Sequence, residues 1–175
     1  NIGLGLNQFT IRVDLPSIVD EQYDETNNNQ ITRTLFIAID GIIPVEPYEF
    51  AVVPDDSVTV KGSTIDPIAD FNTYRFEIDT TDLFNSTEHR YAIITGLGGV
   101  KEVNPSQWLS VATGMSDPLI CEDSMVYFWR CATDSATPDW RESSFQYING
   151  REGWGQDHFF QFKKNGFSSV DYDRP

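Results

Sequence analysis

The stretch Ser124 to Thr133, SMVYFWRCAT, sets Tyr127, Trp129 and Cys131 on one side of an extended chain and Val126, Phe128 and Arg130 on the other. That period of two is a strand signature. Thr73 to Ile78, TYRFEI, repeats the device with Tyr74, Phe76 and Ile78 alternating against Arg75 and Glu77. Two strands that each offer an aromatic face to a common interior read as opposite walls of an antiparallel β-sandwich.

Working outward, the same alternation predicts strands over Tyr48 to Val53, Ser57 to Gly62, Thr73 to Asp79, Arg90 to Thr95, Gln107 to Ala112, Ser124 to Thr133 and Ser143 to Ile148. Turn clusters such as PDD, STIDPIAD, LGG and ATDSATPD separate them. Seven short strands with no helical stripe make an all-β sandwich. DTTDLFNSTE, Asp79 to Glu88, is the best candidate for one helical turn, capped by Thr81 or Asp82 and dropping Leu83 and Phe84 onto the core. Upstream, Asn7 to Asp14 and Ile31 to Ile39 read as two strands around the acidic loop VDEQYDETNNN. DGIIPVEP, Asp40 to Pro47, reads as a linker, because one Gly and two Pro interrupt both helix and ladder. Downstream, GWGQDHFFQFKKNGF reads as the opening strand and turn of a further β domain. The expected organisation is an N-terminal β-hairpin over 1–40, a sandwich over 41–150 and a C-terminal β extension over 151–175, the whole an internal or mature piece of something longer.

The chain has 175 residues, 39% of them hydrophobic and 13% aromatic, enough for a packed core and too aromatic for a disordered acidic tail. Its formal charge of −15 repels phosphate backbones and anionic headgroups, which argues against nucleic acid or a membrane surface as partner. The longest apolar run, Leu35 to Ile39, is far too short to cross a membrane.

Few residues suggest chemistry. His89 and His158 stand in no metal-binding spacing, and no nucleophile elbow or phosphate loop is present. Cys131 belongs to the inward face of its strand, which suits an inert thiol, and Cys121 lies beyond disulfide reach of it if the intervening chain is extended. No cofactor is expected, with one reservation: Asp20, Glu21, Asp24 and Glu25 in one loop, and Asp66 with Asp70 in another, could offer oxygen ligands to Ca²⁺, although the spacing matches no EF-hand and charge runs usually just face water. Trp140, after a turn, and Trp154, between glycines, could stack on sugar rings while Gln156 and Asp157 hydrogen-bond hydroxyls. The plainer reading has Trp108 and Trp129 in the core and Trp140 and Trp154 packed over the sandwich ends.

Three stretches carry a resemblance. The acidic hairpin turn E-x-x-D-E-x-N-N between two strands resembles the end of a CARDB-type module, and YRFEIDTT with VYFWRCATD resembles an immunoglobulin/fibronectin type III-like domain. Followed by FQYI and GWGQDHFFQF, this order is similar to an internal segment of large Bacteroidetes surface proteins associated with type IX secretion, which carry a gingipain-like peptidase elsewhere. The peptidase's own motifs are absent here. The resemblance implies a non-catalytic, extracellular or cell-surface module for spacing, interaction or adhesion, whose partners are other domains of the same polypeptide or surface proteins. The alternatives are a carbohydrate-binding module for polysaccharide and an inactive fragment of a peptidase-bearing protein.

Overall fold

The structure is a computed structural model that describes residues 5–12, 30–37 and 41–155. The chain divides into two compact units, Asn1–Ile39 and Asp40–Pro175. In the first, β1 (Gly5–Arg12) pairs antiparallel with β2 (Gln30–Ile37), with Ile11 opposite Ile31 and Phe9 opposite Arg33. Phe9, Ile11 and Ile31 therefore share one face, while Thr10 and Thr32 join hydroxyls at 3.1 Å on the other. Val13, Ile39 and the acidic loop between the strands lie outside the described residues.

The second unit is an antiparallel β-sandwich. Its smaller sheet runs in the order β3 (Ile42–Glu46), β5 (Val60–Thr64), β8 (Val100–Val103). The larger begins with β12 (Gly153–Trp154), β4 (Ala51–Val53), β11 (Arg141–Tyr147) and β10 (Val126–Thr133). It continues through β6 (Asn72–Asp79), β7 (Arg90–Gly96) and β9 (Leu109–Ser110). The parallel pairing of β4 with β11 is the exception to the antiparallel rule. Between the sheets, Tyr74, Phe76, Tyr127, Trp129, Cys131 and Phe145 meet Ile42, Val60 and Val103, all buried. Trp108 and Leu119, from the long connection before β10, complete the core.

Several expectations change on contact with this architecture. β6 and β10 are not opposite walls: they are hydrogen-bonded neighbours, Trp129 opposite Ile78 and Cys131 opposite Phe76. Alternation fixes which way a side chain faces, but two strands of one sheet and two facing strands of different sheets alternate alike. Residues 40–47 are not a linker, since Ile42–Glu46 forms β3. Pro44 is tolerated because β3 is an edge strand, and the pairing shifts register between Pro44 and Glu46. After β6 the expected turn forms as a single i→i+3 turn, the Phe84 amide donating to the Thr81 carbonyl at 3.3 Å, and goes no further as helix; Phe84 is buried at a left-handed φ of 53° while Leu83 is exposed rather than inward. The strand expected over Gln107 to Ala112 shrinks to Leu109–Ser110 behind a single 3₁₀ turn, Pro105–Gln107. Gly153–Trp154 pairs with Val52 and Ala51 as the outermost of the described strands of this sheet, and residues 156–175, which carry the rest of the expected extension, lie outside the described residues.

At the end of the sandwich where β5 leads into β6, two loops interlock. The Gly98 amide donates to the Ala69 carbonyl at 2.8 Å, and the Thr64 hydroxyl, donating to the Asp66 carbonyl, accepts from the Gly99 amide, each at 2.7 Å. A Cβ at Gly98 would fall 2.6 Å from the Ala69 nitrogen and 2.7 Å from the Asp66 oxygen, both backbone atoms. Gly98→Ala should therefore part the loops at a cost of about 1–3 kcal/mol. Thermal denaturation measures it; an unchanged midpoint would mean the loops separate freely.

Candidate functional site

Two places gather side chains of chemical interest. The first is the edge of the larger sheet. After Pro47 the chain turns so that the Ala51 amide donates to the Tyr48 carbonyl at 3.0 Å, and Phe50 adopts a left-handed φ of 64° that a bulky residue rarely takes. Phe50 is strapped there from both sides: its amide donates to the Ser144 carbonyl at 2.8 Å and its carbonyl accepts from Gly155 at 3.0 Å. The Tyr48 hydroxyl donates to the Gly153 carbonyl at 2.7 Å. Tyr48 and Trp154 thus stand close on the fold, 53% and 52% exposed, although 106 residues separate them in sequence. Beside Tyr48 opens a cleft of about 260 Å³ whose walls include Val52, Val58, Glu46, Asp55 and Glu152. Glu46 is paired with Lys61 at 2.6 Å.

The second is a charged cluster on the outer face of the same sheet. Glu77 sits opposite Arg130 in the β6–β10 register, its side chain only 5% exposed. One carboxylate oxygen accepts from Arg75 Nε at 2.8 Å; the other accepts from Arg130 Nε at 2.8 Å and Nη2 at 2.6 Å. His89 Nε2 stands 3.3 Å from that second oxygen, within reach of its charge but off the line of a hydrogen bond. Arg130 lies between two rings, its guanidinium carbon 3.9 Å from the centre of Phe84 and 4.3 Å from Trp140. Arg75 covers Tyr91 at 4.9 Å. The loop that brings Phe84 here is held by Asp79, which accepts from the Thr80 amide at 2.6 Å, the Ser86 amide at 3.0 Å and the Ser86 hydroxyl. Held by two arginines in charge-assisted hydrogen bonds, the Glu77 carboxylate ties β6, β10 and the Phe84 loop together on this face.

The thiols are no better placed for chemistry. Cys121 and Cys131 are free, buried in the core, and pushed up to about 12 by that burial; the Asp56 charge adds to the effect at Cys121. A thiol of that pKa is almost wholly protonated at neutral pH, whereas the thiolate is the nucleophile. Tyr147 is raised by burial and then by Asp56, Asp123 and Asp55.

Of the sugar-binding candidates, Trp154 is exposed at the edge, while Trp140 is half-buried with one ring face against Arg130. Gln156 and Asp157 lie outside the described residues, as do Asp20, Glu21, Asp24 and Glu25. Asp66 uses Oδ1 to accept from the Ile68 amide at 3.0 Å. Among the described residues no group of three His, Cys, Asp or Glu is gathered to hold a metal ion. Sequence reading missed Tyr48 and Glu77. Tyr48 was visible only as the first residue of an expected strand, and its role depends on β12 returning beside it. Glu77 was visible as a charge alternating with aromatics, and the available signal was that Arg75, Glu77 and Arg130 all occupy outward positions.

No protein-family model matches the chain, and no curated protein matches it.

Proposed function

We propose that this chain is a non-catalytic, extracellular β-sandwich module of a multidomain surface protein, serving to space and present other domains and to hold partners. The observation that carries the reading is the sequestration of its nucleophiles: both thiols are core residues, and the one described histidine is held against Glu77. The arrangement of β3–β5–β8 against β7–β6–β10–β11 supports an immunoglobulin/fibronectin type III-like class, and the resemblance to Bacteroidetes type IX surface proteins supports the location. Antibodies against residues 41–155 should label intact cells of the source organism, and external protease should remove the label. Labelling seen only after lysis would overturn the surface placement.

A second reading, carbohydrate binding, is favoured by one specific feature: Tyr48, which lines a cleft, and Trp154 on the adjoining strand are exposed aromatics on a backbone held by hydrogen bonds. Rigid, exposed rings are suited to stacking on pyranose faces because little side-chain freedom is lost on binding.

A further inference from the structure

We infer that the sheet edge formed by Tyr48 and Trp154, with the adjoining cleft, binds a neutral oligosaccharide and discriminates against acidic ones. The inference rests on the carbohydrate-binding reading above and adds the place and the class of sugar. Three independent features converge there. Phe50, two residues after Tyr48 and hydrogen-bonded to Gly155 beside Trp154, holds a left-handed φ that its backbone hydrogen bonds to Ser144 and Gly155 enforce, so the chain between the two rings is fixed. The Tyr48 hydroxyl is fixed by Gly153, so its ring keeps one orientation beside β12. The cleft next to Tyr48 joins an apolar floor, Val52 and Val58, to the carboxylates of Asp55 and Glu152, which enter no ion pair among the described residues.

That mixture fits a sugar. A pyranose ring presents an apolar C–H face for the aromatics and an equatorial set of hydroxyls, and carboxylates accept from hydroxyls in charge-assisted hydrogen bonds. An acidic sugar would bring its own carboxylate against Asp55 and Glu152 on a chain of charge −15, which is repulsive at close range. A cationic ligand would meet the same carboxylates favourably, so it is the competing class that the experiment must separate.

The test titrates the whole chain, by calorimetry and by intrinsic tryptophan fluorescence, with cellohexaose, laminarihexaose, mannohexaose and xylohexaose as neutral probes. Hexagalacturonate and tetralysine serve as the acidic and basic ones. At least one neutral hexasaccharide should bind, with affinity falling on the order of tenfold in Tyr48→Ala and in Trp154→Ala. It should stay unchanged in Trp140→Ala, and hexagalacturonate should not bind. Tyr48→Phe, which keeps the ring and removes the hydroxyl, should bind more tightly than Tyr48→Ala, with both variants keeping the thermal midpoint of a folded sandwich so that the difference is one of binding. Binding that survives Tyr48→Ala and Trp154→Ala but disappears in Trp140→Ala would overturn this site and leave the sugar-binding reading intact. No binding by any neutral probe would overturn both. Tetralysine binding lost in Tyr48→Ala, without sugar binding, would assign the edge to a basic ligand instead.

Discussion

Glu77→Ala should cost about 3–5 kcal/mol, the largest loss expected from any single surface-facing position of the sandwich. The side chain is on the outer face of its sheet, yet it is nearly as buried as the core because Arg75, Arg130, His89 and the Phe84 loop cover it. Removing it leaves Arg130 between two rings without its ion pair, and the guanidinium must stay unpaired or break its stacking to reach water or Glu142, opposite it in the β10–β11 register. Arg75, a third exposed, can turn outward at little cost. Calorimetric unfolding should register the change as a midpoint lower by roughly 10–20 °C. The double replacement Glu77→Leu/Arg130→Met removes both charges together and should restore much of the loss, because an unpaired buried charge costs more than a missing pair. A drop below about 1 kcal/mol in Glu77→Ala would mean that the cluster is solvated and the loop over it is open.

The cluster also shows where sequence reading stops. SMVYFWRCAT and TYRFEI establish that Tyr127, Trp129, Cys131, Tyr74, Phe76 and Ile78 turn inward, since facing depends only on local period, and all six are buried. Pairing is not local. Glu77 meets Arg130 53 positions along the chain, and nothing in either stretch says that these strands are neighbours in one sheet rather than partners across the core. The two arrangements give the same pattern of apolar and polar residues.

Pro44 illustrates a related gap. Proline forbids one ladder bond, which excludes a central strand but permits an edge, and whether β3 lies at an edge is a property of the whole sheet order. Asp79 is a third case. Its motif, DTTDLFNS, reads equally as a capped helical turn or as a side-chain-bonded loop, because the same Asp and Ser groups satisfy backbone amides in both. The Tyr48–Trp154 edge was the least legible of all, since the two become neighbours only once β4 and β12 pair.

Alkaline pH should destabilise the reduced protein steeply, through the two thiols of its core. Cys121 and Cys131 ionise near 9.0 when exposed and near 12 in the fold, where burial opposes the thiolate. Below pH 9 both states keep the proton and the thiols do not affect the balance. As pH rises from 9 toward 12 the unfolded chain loses protons that the folded chain retains, so unfolding is favoured by up to about 1.4 kcal/mol per pH unit for each thiol. By pH 11 the two together remove on the order of 5 kcal/mol, comparable to the whole stability of a modest domain. Tyr127 and Tyr147, also raised, act in the same direction. Urea unfolding from pH 8 to pH 11, under reductant, should give a falling stability whose slope flattens in Cys121→Ala/Cys131→Ala, whatever that variant's stability at pH 8. At pH 8 the native thiols should resist a disulfide reagent and both should react in denaturant. Equal slopes in the two proteins, or a thiol that reacts in the native state, would place at least one cysteine in an open, ionisable position and return it to candidacy as a nucleophile.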